Sequence, residues 1–278
     1  MIAVVTAADI GGRRRFIAPP REAVDAACFA QPIYAGLSDM QDLMVAPSWP
    51  TIAALDARLA LPDKHLAEQD EALLADGLHY ETRIAGRGQI ATRADNWHDL
   101  FNALVWARYP TIKRALNRQQ CRHIAAMAPG QRNRAQAALT QFDESGVIVR
   151  VREPALLRAW DQHDWQALLW DGAGQWRRGD IAVAALIGHA LLEQALVPER
   201  LLVGKCVVVQ SDDDDATAVA AVAQAITDGA LLNDPLELRP LPLAGVPGWH
   251  ARQEAAFYAR ADYFRPLRPG RVYPAALG

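Results

Sequence analysis

The segment at 92–117 concentrates side chains suited to acid–base chemistry in one helical stretch, TRADNWHDLFNALVWARYPTIKRALN. The aspartate–asparagine pair near its start can cap a helix, because either side chain can accept from free N–H groups of the first turn. His98 and Asn102 then fall one turn apart beside an apolar stripe, with Trp106 a further turn along. This face predicts the rim of a pocket. The alternative is that His98 and Asn102 bond to neighbouring backbone.

A second titratable pair, His189 and Glu193, lies in IAVAALIGHALLEQAL, which predicts one buried helix over 181–196. A lone charged glutamate is costly to bury, so the two residues either satisfy each other or project into a polar cavity. Their spacing is also half of a metal site, which His98 and Asp99 could complete. A single HxxxE without HExxH or HxH is a weak metal motif. We therefore predict no metal, with a divalent ion at these four residues as the alternative.

Asp143 and Glu144, in FDESG, close a helix predicted over 132–146. Adjacent acids are disfavoured at a helix C-terminus by the macrodipole. We therefore expect one of them to meet a partner such as Arg93, Arg132 or a ligand. The alternative is a solvated turn.

Lysine is scarce in this chain. Of 29 basic residues, only Lys64, Lys113 and Lys205 are lysines. A lysine kept in an arginine-rich composition is a candidate for a role that needs a compact, deprotonatable ammonium. Chance survival is the alternative, and the roles of Lys113 and Lys205 stay open.

Composition excludes several classes of protein. The net charge of -3 argues against nucleic-acid binding, which usually needs a basic face. No apolar run approaches the roughly 18 residues that span a bilayer, and the first residues lack the pattern of a signal peptide. Three widely spaced cysteines without a CxxC pair predict buried thiols in a reducing, cytoplasmic compartment. Walker, GxSxG and strand-following GxGxxG motifs are missing from the sequence.

The remaining pattern is mixed, without regular βαβ alternation. LHYETRI at 78–84 and GQIATR at 88–93 predict a β-hairpin in which His79, Glu81 and Arg83 share one face. Other stretches indicate a short strand at 2–5, buried strands at 147–152 and 205–210, and helices at 51–60 and 111–123. The acid run 212–215 is best explained as the capped start of a helix over 211–227.

The sequence therefore predicts an α+β fold: one predominantly helical domain with a small mixed or antiparallel sheet. Residues 1–48 would form an irregular arm packed on a core at 49–240, and residues 241–278 a proline- and aromatic-rich C-terminal wrap.

Several blocks together resemble a bacterial family catalogued as domain of unknown function 3025. They are HYETRI, GQIATRADNWHDLFNALVWARYPTIKRALN, ALTQFDESG, GHALLE and the closing PGW…FYARADYFRP. The resemblance runs from about Trp49 to Arg268. Its blocks place every catalytic and substrate-binding candidate in family-like segments, namely Arg93, Asn96, His98, Asp99, Asn102, Lys113, Asp143, Glu144, His189 and Glu193, together with His79, Glu81 and Lys205. It implies boundaries for the part of the chain that the family covers, and no particular activity.

The leading hypothesis is a hydrolytic or group-transfer enzyme that acts on a small anionic substrate in a polar pocket around His98 and His189. The catalytic candidates are His98, Asp99, His189 and Glu193. The substrate-binding candidates are Arg93, Asn96, Asn102, Lys113, Asp143 and Glu144. The alternative is a non-catalytic ligand- or protein-binding protein whose polar residues form a buried network. A protein partner would then dock on Trp249, Tyr258, Tyr263 and Phe264 of the C-terminal wrap.

Overall fold

The computed structural model, which describes residues 16–128 and 130–278, contains two sheets. Strands β1 (His65–Glu68) and β2 (Gln89–Thr92) form a parallel pair. Strands β3 (Gly146–Val151), β4 (Ile181–Leu186), β5 (Val203–Gln210) and β6 (Arg239–Pro242) form a mixed sheet in the order β4-β3-β5-β6.

The central strand β3 is buried along its whole length. It runs parallel to β5 and antiparallel to β4, with a shift in the β4 register between Ile148 and Val149. Continuous apolar runs of this kind are typical of strands covered on both faces. The predictions of strands at 147–152 and 205–210 and of a small mixed sheet are confirmed.

The helices surround this sheet and supply most of the cleft described below. They are α1 (Gln41–Val45), α2 (Ile52–Leu59), α3 (Glu71–Leu74), α4 (Tyr80–Arg87), α5 (Trp97–Arg108), α6 (Pro110–Ala126), α7 (Arg134–Ser145), α8 (Pro154–Asp161), α9 (Ala173–Arg178), α10 (His189–Gln194), α11 (Asp215–Thr227) and α12 (Ala255–Tyr258). A π-helical turn covers Gln166–Asp171, and 3-10 turns join other elements. The predicted α+β class is confirmed.

Local signals explain where the principal helices begin. Asn96 caps α5 through its side chain, which accepts from the Asp99 N–H at 3.1 Å. Pro110 starts α6, where its missing N–H leaves no hydrogen bond unmade. Asn133 forms a capping box with Gln136 at the start of α7. The start of α11 is capped by an aspartate of the acid run, as predicted.

The predicted hairpin at 78–93 is wrong. Its first half is α4, with the His79 side chain accepting from the Glu81 N–H at the N-terminus. Gly88, at φ +68°, ends the helix, and β2 then pairs with β1 in parallel. His79, Glu81 and Arg83 therefore do not share a strand face. Seven residues with polar–apolar alternation were too few to distinguish a strand from one amphipathic helical face.

The predicted single helix at 181–196 is also wrong. Its first part is strand β4 and only the part from His189 is helical. Periodicity cannot separate a short buried strand from a buried helix, so pairing with β3 decides the matter. His189 and Glu193 still lie one turn apart on α10.

Both ends of the described chain pack against the core. Between residues 16 and 48, 3-10 turns and α1 bury Tyr34 and Met44. The predicted strand at 2–5 lies outside the described residues. Near the C-terminus, Tyr258, Tyr263 and Phe264 are buried, so the predicted partner-docking surface on them is wrong. Within the described residues, no helix combines the length and apolar character needed to cross a bilayer.

Candidate active site

A cleft of about 740 Å³ opens between α4, α5, α6 and α7. One face of α6 forms its floor, through residues at helical spacing: Lys113, Leu116, Asn117, Gln120 and Ile124. One end of the cleft carries His98, Glu144 and His189, while Arg132 lies in the lining contributed by the segment before α7. His98, Glu144 and His189 therefore lie toward the C-terminal end of α7, and Arg132 lies toward its N-terminal end.

The imidazoles of His98 and His189 face each other at the end of the cleft where α7 ends. The Nε2 atoms of His98 and His189 are 3.1 Å apart, and the ring planes make an angle of 75°. The Nδ1 atom of His98 lies 3.0 Å from Glu193 Oε2, across 95 positions of sequence. The structure thus brings together three of the four residues predicted to be catalytic.

Close backbone packing places His189. It is the first residue of α10, directly after Gly188. A Cβ at Gly188 would lie 2.6 Å from the Ser145 Cα, so only glycine allows this approach to the junction of α7 and β3. The approach sets His189 beside the last turn of α7, which carries Asp143 and Glu144.

Those two acids occupy different sides of the His189 ring. Glu144 Oε2 is 3.8 Å from His189 Nε2, and Asp143 Oδ2 is 3.8 Å from His189 Nδ1. One ligand atom from each of His98, Glu144 and His189 lies within 4.8 Å of the others. These three residues could hold a metal ion. Two of them belong to the four considered in the sequence, whereas Glu144 was predicted to bind substrate.

Asp143 has an ammonium partner that the sequence did not indicate. Lys113 donates to Asp143 Oδ1 and, at 2.9 Å, to Asn102 Oδ1. Asn102 in turn donates to the Tyr80 hydroxyl at 2.9 Å. The expected partners of the acidic pair, Arg93 and Arg132, make no ion pair with it among the described residues. Lys113 and Asn102 thus hold the wall of the cleft in place.

Arg93 and Asp99 form a separate ion pair. The guanidinium donates to both carboxylate oxygens of Asp99, at 2.9 and 2.8 Å. The backbone N–H of Arg93 also donates to Asp99 Oδ2, at 2.6 Å. Asp99 makes no hydrogen bond to either imidazole in the described chain, so it does not orient them directly. Asn96, predicted to bind substrate, uses its side-chain oxygen as a cap.

The surroundings separate the pKa values of the two imidazoles. Burial lowers the pKa of His189 to about 3, against the opposing influence of Asp143. Burial acts in the same direction on His98, but the hydrogen bond to Glu193 and the nearby Glu144 raise its pKa above the ordinary value. His98 is therefore the imidazole that carries a proton more readily.

The pKa values of the carboxyl groups in the cleft are also shifted in different directions. Burial raises the pKa of Glu144 and of Glu81. Burial also acts to raise the pKa of Asp143, but the nearby Lys113 and His189 have a larger effect and hold that pKa below its ordinary value. The site thus combines an ionised carboxylate with carboxyls that take up protons more easily.

Sequence reasoning missed Tyr80 and Asn117. Tyr80 lies in α4, which was predicted as a strand, so its position in the cleft could not be derived. Asn117 donates to Glu81 Oε2 at 2.6 Å and shares the α6 face with Lys113. Its spacing of four residues from Lys113 was the available signal.

The fold and the site together define an α+β protein with a cluster of histidines and carboxylates in a cleft. This histidine–carboxylate cluster consists of His98, Asp143, Glu144, His189 and Glu193. Residues 65–268 match the family model described as "Protein of unknown function (DUF3025)", and the chain belongs to that family. The match confirms the resemblance, although it begins at His65 and not near Trp49. It includes the whole histidine–carboxylate cluster. No curated protein and no solved structure matches the chain.

Proposed function

We propose that this chain is an enzyme that catalyses hydrolysis or group transfer at the histidine–carboxylate end of the cleft. The observation that carries the proposal is the pair of facing imidazoles, one of them oriented by Glu193, on the wall of a cavity of about 740 Å³. Imidazole lone pairs can receive a proton from an attacking water molecule or hold a Lewis acid. Among the described residues, no serine or cysteine lines the cleft, which favours water as the nucleophile.

The proposed substrate is a small anion, and the structure changes how it would be held. Arg93 and Lys113, predicted to bind it, are already paired with Asp99 and Asp143. Arg132 is exposed, and its guanidinium donates to the Thr140 hydroxyl at 2.7 Å. We therefore assign the anionic group of the substrate to Arg132, with the reacting group toward His98.

The competing proposal is a ligand-binding protein without catalytic activity. The hydrogen bonds from Lys113 through Asn102 to Tyr80 favour it, because satisfied networks of this kind rigidify a core. The two proposals differ in whether a bound molecule is turned over.

The test is a screen of chromogenic carboxylate esters, phosphate esters and lactones with the wild type and His98→Asn. His98 is partly exposed, so this variant should fold. His65→Asn, an exposed histidine on β1 outside the cleft, is the matched control. We expect turnover to fall at least about 100-fold in His98→Asn and to stay unchanged in His65→Asn. Equal rates in all three proteins, or saturable binding without turnover, would overturn the proposal.

A further inference from the structure

We propose that His98, His189 and Glu144 bind one divalent transition-metal ion, for which Zn²⁺ is the best match. The assignment of this ion as the water-activating group rests on the proposed function. Ion binding itself rests only on the geometry of the cluster.

The orientation of the two rings is the first argument. Their centroids are 4.5 Å apart while their Nε2 atoms are 3.1 Å apart. A linear N–H···N hydrogen bond would place the centroids about 5.4 Å apart. The rings are instead inclined to the N···N line, and an ion beside that line can reach both Nε2 atoms. An ion about 2.05 Å from both nitrogens would see them at an angle of about 100°, near the tetrahedral value.

Glu144 supplies the third ligand. Its Oε2 atom is 3.8 Å from His189 Nε2, and two ligand atoms of a tetrahedral zinc site are about 3.4 Å apart. The side chain is 40% exposed and accepts no hydrogen bond from another side chain in the described part of the chain. A small rotation of this free carboxylate closes the site.

The surroundings of the two Nδ1 atoms, on the side of each ring away from the proposed ion, also agree with a metal site. Metal-bound histidines almost always donate their other N–H to a carboxylate or carbonyl. His98 Nδ1 faces Glu193 at 3.0 Å, and His189 Nδ1 faces Asp143 at 3.8 Å. The buried Nδ1 of His189 has no hydrogen-bond partner among the described residues. A metal on Nε2 would fix the proton on Nδ1, on the side of the ring that faces the Asp143 carboxyl group.

Charge also favours a dication. The carboxyl groups of Asp143, Glu144 and Glu193 lie around the two imidazoles, and Lys113 pairs with Asp143, so within the described residues Glu144 and Glu193 have no lysine or arginine partner. A divalent ion neutralises them. Two His nitrogens and one carboxylate are the ligand set of hydrolytic zinc sites with an open fourth position. An ion held there by His98, His189 and Glu144 would make a water molecule at the open position more acidic. Hydrolysis would then form a bond from the water oxygen to the substrate and break the bond to the leaving group, which would take up the proton that the water releases.

The four residues considered for a metal in the sequence have three different roles. His98 and His189 are ligands, Glu193 orients a ligand from behind, and Asp99 is occupied by Arg93. Glu144 is the third ligand in place of Asp99, whose carboxylate is paired with Arg93.

The test is calorimetric titration of Zn²⁺ into the full chain, purified without a His-tag and stripped with chelator, alongside elemental analysis before stripping. We expect one ion per chain. Glu144→Gln and His98→Asn should weaken binding more than 100-fold, and Glu193→Gln by about 10- to 100-fold. Glu153→Gln, at the opposite end of β3, should not change it. Circular dichroism checks that each variant is folded.

Absence of stoichiometric binding, or equal affinity in Glu144→Gln and the wild type, would overturn the metal site. Undiminished turnover by stripped protein in chelator would overturn the catalytic role of the ion and leave the proposed function intact. Stoichiometric Zn²⁺ binding without turnover of any substrate in the screen would support the metal site and refute the proposed function.

Discussion

Replacement of Lys113 by methionine removes the only ammonium that lines the cleft in the described parts of the chain. The lysine side chain is 4% exposed and that of Asp143 is 26% exposed. Methionine keeps the length and apolar contacts of the side chain, so the change removes mainly the charge and two hydrogen bonds. The Asp143 carboxylate would then remain in the protein without its cation.

The cost can be worked from these contacts. Removal of one partner from a buried ion pair costs roughly 3–5 kcal/mol. Because Asp143 is about a quarter exposed and water screens its charge, we take about 2 kcal/mol for the unpaired carboxylate, which is below that range. The lost hydrogen bond to Asn102 adds about 1 kcal/mol. We therefore expect Lys113→Met to lower the free energy of unfolding by about 3 kcal/mol.

Urea denaturation at pH 7, followed by circular dichroism, measures this loss. Asp143→Asn alone should cost at least as much, because it leaves the more deeply buried charge unpaired. The double variant should cost less than the sum of the two by about 2 kcal/mol or more. Arg178→Met removes an exposed pair with Asp180 and should cost under about 0.5 kcal/mol. A loss below 1 kcal/mol in Lys113→Met, or additive single variants, would refute the assigned pairing.

Two further predictions concern the histidines and their placement. In metal-free protein, NMR titration of the imidazoles should show His98 gaining its proton above the ordinary pKa and His189 only near pH 3. The unfolded chain protonates His189 near pH 6.5 and the folded chain does not, so this residue should reduce stability as pH falls from about 6.5 toward 3. His98 has the opposite effect, because its pKa is higher in the folded protein. Its contribution to stability is present at low pH and is lost as pH rises through its folded-state pKa. A common pKa for both rings would contradict the structure. Gly188→Ala should cost at least about 2 kcal/mol in thermal unfolding, because its Cβ meets backbone at 2.6 Å; an unchanged melting temperature would show that the approach is looser.

Local sequence signals were sufficient for several elements. Asn96 and Pro110 mark the starts of α5 and α6 through capping and a fixed φ, and these are properties of neighbouring residues alone. The buried strands β3 and β5 followed from β-branched runs bounded by polar turns. The sequence failed at α4 and β4, because short apolar or alternating runs have no period that separates helix from strand.

The site was predictable only in part, for a related reason. The meeting of His98 with His189 and Glu193 followed from the cost of burying lone polar groups on apolar helices. The pairing of Lys113 with Asp143 depends on how α6 crosses α7, and no sequence spacing encodes that. The same holds for Glu144, whose distance from the imidazoles is fixed by the contact of Gly188 with the junction of α7 and β3.

Anomalous X-ray diffraction at the zinc absorption edge, from crystals grown with one equivalent of Zn²⁺, tests the central claim most directly. We expect one strong peak about 2.0–2.1 Å from the Nε2 atoms of His98 and His189, with a Glu144 oxygen as the third protein ligand. A peak at other residues only, or none with the two imidazoles still hydrogen-bonded to each other, would contradict a metal centre in the cleft.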